Sequence, residues 1–148
     1  MLLERKGVNP DIKEKDGRTP LSWAAYEGHE GIVLLLLERS DVSPAAADEK
    51  GRAPLVWVAG VGGEPFTDRG EREKVAKILH ERDEVNLDGA DKSGRTPLSW
   101  ATGDGHEKIA QMLLERNDVN LDSMDEDGWT LLSWAAGPPS WLVLAEEL

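Results

Sequence analysis

Three histidines, a surplus of carboxylates and six tryptophans are the side chains of this chain that could carry chemistry. His29-Glu30 and His106-Glu107 each open like the helical His-Glu-x-x-His of zinc peptidases, where two imidazoles one turn apart hold the metal. Val33 and Ala110 stand where the second imidazole is needed, so no metal site is expected. Asp122-Ser-Met-Asp125-Glu-Asp127-Gly128 has the look of a calcium loop. Its first aspartate is out of phase, and no glutamate follows Gly128 at the required distance. Gly60-Val-Gly-Gly-Glu-Pro65 lacks the Gly-Lys-Ser/Thr ending of a phosphate loop and reads as a flexible insertion. With no cysteine, thiol catalysis, disulfides and thiolate metal sites are all excluded. The sequence pairs none of its carboxylates with a nucleophile or base, so no catalytic residue and no cofactor is expected.

Net charge narrows the partners. Seventeen basic residues against twenty-nine acidic ones leave −12. That charge repels a nucleic-acid backbone and an anionic membrane surface alike. The longest apolar run, Ile32–Leu37, spans six residues, far short of a membrane helix. The opening MLLERKGVN has neither the apolar stretch nor the cleavage site of a secretory signal. The expected setting is intracellular, the cytoplasm first and the nucleus as the alternative. A chain of 148 residues suits one domain with a real core.

Six tryptophans beside one tyrosine and one phenylalanine point to a copied local pattern. GRTPLSWA at Gly17–Ala24 returns intact at Gly94–Ala101, with altered copies at Gly51–Val58 and Gly128–Ala135. The glycines lie 34, 43 and 34 residues apart, and so do Trp23, Trp57, Trp100 and Trp134. A second block, LLLERSDVS at Leu35–Ser43, recurs at Ile78–Asn86 and Met112–Asn120, with a partial copy at Leu2–Asn9. One repeat domain over 1–148 is therefore expected: a partial unit over 1–16, whole units over 17–50, 51–93 and 94–127, and a truncated unit over 128–148. The middle unit is nine residues longer, and the excess falls within 60–71, where a surface loop is expected.

Each unit must position these residues on two short helices. Thr19-Pro20 supplies a hydroxyl cap and a proline at the first helical position. The first helix runs through LSWAAYE and stops at Gly28, suited to a left-handed cap. The second starts near His29-Glu30 and lays Ile32, Val33, Leu35, Leu36 and Leu37 along a broad apolar face. Such a pair cannot bury its own face, so stacking into a solenoid supplies the cover.

A period near 33 with Thr-Pro-Leu, paired alanines, Gly-His and a late Leu-Leu resembles the ankyrin repeat. Here those elements are Thr19-Pro20-Leu21, Ala24-Ala25, Gly28-His29 and Leu35–Leu37, and again Thr96-Pro97-Leu98, Gly105-His106 and Leu113-Leu114. The flavour of the array is similar to those of large fungal multidomain intracellular proteins. The resemblance implies an all-α solenoid of stacked helix-turn-helix units joined by short inter-repeat turns or hairpins. It implies that His29 and His106 bond to backbone in the turns, and His80 is expected to be a partly buried structural residue. The chain departs from the pattern where Ser22, Ser99, Ser133 and Val56 replace the usual histidine, so the network of that imidazole is weakened or rebuilt. The periodic tryptophans are expected in the core between units, each indole N–H reaching a turn carbonyl or the adjacent serine.

A solenoid without a catalytic constellation works through its surface. The resemblance implies a protein partner lying across the inter-repeat turns and the exposed side of the first helices. By position these are Lys15, Asp16 and Arg18; Glu49, Lys50 and Arg52; Lys92, Ser93 and Arg95; Glu126, Asp127 and Trp129; and on the helices Tyr26, Glu27, Gly103 and Asp104. Arg18, Arg52 and Arg95 are expected to form a row along one edge, a positive exception that attracts an acidic partner segment. Their alternative is pairing with nearby acids such as Asp16 or Asp48. Trp129 takes the arginine's place in the last unit, where the position is expected to project from the turn. The function expected is a non-catalytic protein–protein interaction module; the alternative is a spacer or regulatory segment of a larger signalling or enzyme protein. A monomer is expected, or weak self-association through uncapped ends.

Overall fold

A computed structural model describes residues 9–60, 68–116 and 119–136. Within them lie seven helices and one isolated bridge, Met124 to Thr130. The first helices of successive units are α1 (Pro20–Tyr26), α3 (Pro54–Ala59), α5 (Pro97–Gly103) and α7 (Leu131–Ala136). The second helices are α2 (Glu30–Leu37), α4 (Arg69–His80) and α6 (Glu107–Leu114). First helices stack on one another from α1 through α7, and second helices stack from α2 through α6. α1, α3 and α5 each also pack on their own second helix, so the two layers share one core. Leu21, Val33, Leu36, Leu55, Val75, Leu79, Leu98, Ile109 and Leu113 are among its buried side chains.

The helix starts follow from local chemistry. The Thr19 N–H donates to Ser22 Oγ at 2.9 Å, and the Ser22 N–H donates to Thr19 Oγ1 at 3.2 Å. This capping box, worth about 1 kcal/mol, is what the serine builds in place of the family's imidazole network. Thr96 and Ser99 repeat the cap from the Ser99 N–H. Ala53 cannot accept such a bond, and α3 has no side-chain cap. Gly28 and Gly105 turn the chain between helices with φ of 71° and 72°, where a side chain would be strained.

Three expectations need correction. His29 heads α2 as an exposed residue with no side-chain cap bond, while His106 is buried at the head of α6. The reversal at His29 is already closed by its N–H donating to the Ala24 carbonyl at 2.9 Å, so the imidazole is not required there. On α2, Val33, Leu36 and Leu37 are buried, but Ile32 is exposed, because the helix meets α1 and α4 on one side only among the described helices. Of the loop expected over 60–71, residues 61–67 lie outside the described residues, and residues 69–71 are helical. Asp68 caps α4 by accepting from the Gly70 N–H, and α4 runs twelve residues against eight in α2 and α6. Its Arg72 is buried and donates to the Trp57 carbonyl at 3.0 Å, tying the longer helix to α3. His80 is half-buried at the end of α4, as expected. The part of the partial unit before residue 9 and the part of the truncated last unit after residue 136 lie outside the described residues.

A row of carboxylates stitches the loops that follow the second helices. Asn9, Asn86 and Asn120 each accept the N–H two residues on. Asp11 then accepts the Ser43 N–H of the next unit at 2.8 Å, and Asp88 accepts the Asn120 N–H at 2.9 Å. Ala45 occupies the corresponding place between them, so Asn86 receives no carboxylate. The double substitution Ser43→Asn/Ala45→Asp, which copies Asn9-Pro10-Asp11, should add this bond. A gain of about 1 kcal/mol, or ~2–4 °C in Tm, is expected in a thermal melt. An unchanged Tm would place residue 45 out of reach of Asn86.

Candidate functional site

The inter-repeat turns form the edge on which the predicted residues sit. In each, an acid four residues ahead closes the turn: the Asp48 N–H donates to the Arg52 carbonyl at 3.1 Å, and Asp91 and Asp125 do the same to Arg95 and Trp129. Asp48 Oδ1 also accepts the N–H groups of Lys50 and Arg52. Asp91 Oδ1 does so for Ser93 and Arg95, and Asp125 Oδ1 for Asp127 and Trp129. Successive turns are joined at their tips. The Glu49 N–H donates to the Asp16 carbonyl at 3.0 Å, Lys92 to Lys50 at 2.8 Å, and Glu126 to Ser93 at 2.9 Å. The glycines permit this approach. Gly17 has φ 82°, and a Cβ there would stand 2.7 Å from the Glu49 nitrogen.

The arginines do not project from this edge. The Arg18 guanidinium lies over the Trp23 ring at 4.3 Å and over the Trp57 ring of the next unit at 3.9 Å. Arg95 lies over Trp100 at 3.5 Å and over Trp134 at 3.8 Å. Arg52 covers its own Trp57 at 4.3 Å. A cation held against a tryptophan face is worth about 0.5–2 kcal/mol, rising as the pair is desolvated. The pairing with acids offered as the alternative is also present: Arg18 to Asp16 at 2.8 Å and Arg52 to Asp48 at 3.1 Å. Burial pushes the Arg95 guanidinium below its ordinary pKa, and the carboxylates of Asp104, Asp91 and Asp125 oppose that shift. Trp129 is drawn inward too, its ring tilted against Trp134 at 5.2 Å.

The tryptophans are packed between units, but their N–H groups find other partners than expected. Trp57, Trp100 and Trp134 donate from Nε1 to Oδ2 of Asp48, Asp91 and Asp125 at 3.1, 2.9 and 2.8 Å. The acceptor is neither a turn carbonyl nor the neighbouring serine. The signal that could have found it is in the sequence: an aspartate stands nine residues before each of these three tryptophans. Before Trp23 that place holds Glu14, and Trp23 Nε1 is buried with no hydrogen-bond partner.

What remains outward on the edge is the tips. Lys15, Glu49, Lys50, Lys92, Ser93, Glu126 and Asp127 are exposed, and the tip bonds set them in one line; Asp16 is half-buried. On the first helices Asp104 is exposed, and Glu27 and Gly103 are half-buried. Tyr26 is half-buried and stands edge-on to Trp23 at 6.4 Å and to Trp57 at 5.7 Å. The equivalent position is Gly60 in the next unit, where a Cβ would meet Asp104 Oδ2 at 2.5 Å.

A family model described as ankyrin repeats (3 copies) matches residues 1–65 and 67–140. Comparison with curated proteins gives no match.

Three outcomes follow from the stack. Removing the Arg95 side chain (Arg95→Ala) uncovers two indoles and should cost about 1–3 kcal/mol, read as a lower urea midpoint; Arg95→Lys, lacking the planar fork, should recover only part of the loss. The paired charge reversal Arg52→Glu/Arg95→Glu is accordingly expected to destabilise the fold rather than leave the melting curve unaltered. Glu14→Asp, in contrast, should supply Trp23 with the acceptor the other tryptophans have. A gain of about 1 kcal/mol is expected, and a downfield shift of the Trp23 indole N–H resonance would report the bond itself.

Proposed function

The chain belongs to the ankyrin repeat family, and on that premise we propose that it is a protein–protein interaction module whose partner lies across the turn tips and the adjoining face of the first helices. One observation carries the reading. The tip-to-tip backbone bonds hold in a fixed line the backbone that carries the exposed side chains of four consecutive turns. A preordered backbone loses little further conformational freedom on binding. With the guanidinium groups committed to tryptophan faces, the outward positive charge of the edge is that of Lys15, Lys50 and Lys92. The complementary partner segment carries acidic groups opposite these three. The last tip, with Glu126 and Asp127, repels such groups and so sets the segment's orientation.

The triple substitution Lys15→Glu/Lys50→Glu/Lys92→Glu tests this edge. All three side chains are exposed, so the melting curve is expected to stay within about 0.5 kcal/mol of the native chain. Native and variant chains are used as baits for one cell extract, and affinity for the captured protein is then measured with purified material. A loss of about tenfold or more supports the edge. Equal affinity would move the interface elsewhere, and capture of nothing by the native chain would favour a spacer role.

A further inference from the structure

We infer that the partner segment read by the tips is an extended, polyproline-type stretch with charges of alternating sign at every third residue; this rests on the tips being the interface. Two residues before the turn glycines stand Lys15, Glu49, Lys92 and Glu126, so the sign along the row runs plus, minus, plus, minus. All four are exposed, and the N–H groups of Glu49, Lys92 and Glu126 make the tip-to-tip bonds, which fixes the spacing of this column. None of the four is ion-paired among the described residues, although neighbours in the row differ in sign. The column beside it holds Asp16, Lys50, Ser93 and Asp127 and has no such order. Asp16 is half-buried and paired with Arg18 at 2.8 Å, which withdraws it from the edge.

Spacing decides the shape of the occupant. First helices packed side by side set successive tips about 8–10 Å apart. In a polyproline-type chain three residues make one turn and rise about 9 Å, so every third side chain points the same way at that interval. A β-strand covers the distance in about three residues too, but its side chains alternate, so the third faces away. An α-helix needs about seven residues per tip and about twenty for the row, and only about one side chain in seven meets a tip. A polyproline-type segment needs about ten residues, and its backbone is ordered before it binds. The signs then set its sequence: an acid opposite Lys15, a base opposite Glu49, an acid opposite Lys92 and a base opposite Glu126. A further acid next to the first base meets Lys50, which stands beside Glu49.

The test uses two peptides of one composition, acetyl-Asp-Pro-Pro-Lys-Pro-Pro-Asp-Pro-Pro-Lys-amide and its blocked counterpart acetyl-Asp-Pro-Pro-Asp-Pro-Pro-Lys-Pro-Pro-Lys-amide. Each is titrated at about 0.01 M salt, where charges are little screened, against the amide resonances of Gly17, Gly51, Gly94 and Gly128. The native chain should bind the alternating peptide about threefold or more tighter, because in full register the blocked one meets two like charges. The exchange Glu49→Lys/Lys92→Glu leaves the net charge at −12 but turns the row into plus, plus, minus, minus. Both residues are exposed, so the fold should hold, and the preference should pass to the blocked peptide. Equal binding of the two peptides by the native chain, no saturable shift, or no reversal in the exchanged chain overturns the inference. Tighter binding of an alanine-rich helical peptide with the same charge order at seven-residue spacing also overturns it, giving the row to a helix. Capture that depends on the three lysines, without discrimination between the peptides, removes the alternating segment alone. Capture that survives the lysine triple substitution removes the edge reading itself.

Discussion

The arginine held between successive tryptophan faces is the interaction on which the rest of this solenoid depends. It solves a problem that a thin helix pair cannot solve alone. A first helix of six or seven residues buries too few aliphatic groups to fix its neighbour's position. An indole adds a large area at that junction, and the guanidinium fills the gap between two of them with a flat group that matches both faces. The aspartate completes the unit, fixing the indole N–H and, at Asp48, the arginine as well. Buried charge is tolerated here because each partner meets an opposite charge or a π-face within reach.

The array is uneven along its length, and the unevenness has local causes. Where Arg18 and Arg95 each bridge two rings, Arg52 covers only Trp57, and Trp100 instead packs directly beside Val56 and Trp57. That same unit carries the longer second helix and the uncapped start at Ala53, and its Asn86 is the one that Ala45 of the unit before leaves without a carboxylate. Its compensation is the depth of α3, all of whose residues are buried, and the buried Arg72 that reaches the Trp57 carbonyl. A missing cap and a missing loop bond are thus offset by apolar burial and one long-range hydrogen bond. At the other end, Gly128 has the left-handed φ of the other turn glycines, and a Cβ there would meet nothing within 4 Å among the described residues.

The residues that make the edge rigid and those that present it are different sets. Gly17, Gly51 and Gly94, the turn aspartates and the arginines hold the backbone of the turns. The side chains of Lys15, Glu49, Lys50, Lys92, Ser93, Glu126 and Asp127 make none of those bonds and are exposed. This division lets the outward set vary in charge from turn to turn while the spacing stays constant, which is the property a recognition edge needs.

The sequence by itself determined the repeat, its period, the helix pair in each unit and the hydroxyl caps. Those depend on residue type and spacing within one unit, and GRTPLSWA carries the cap, the proline and the apolar phase within eight residues. It also placed the tryptophans between units, because a large apolar residue recurring once per first helix has nowhere else to go. What only the tertiary structure decided lies between units. Whether Arg18, Arg52 and Arg95 point to solvent or back onto the stack turns on how near the next unit's indole comes, a distance between groups 34 or more residues apart. The same holds for the start of α4 inside the expected loop, where Arg72 reaches Trp57 across fifteen residues of chain. Spacing can state that two residues recur in step; only packing states which face of one meets which face of the other.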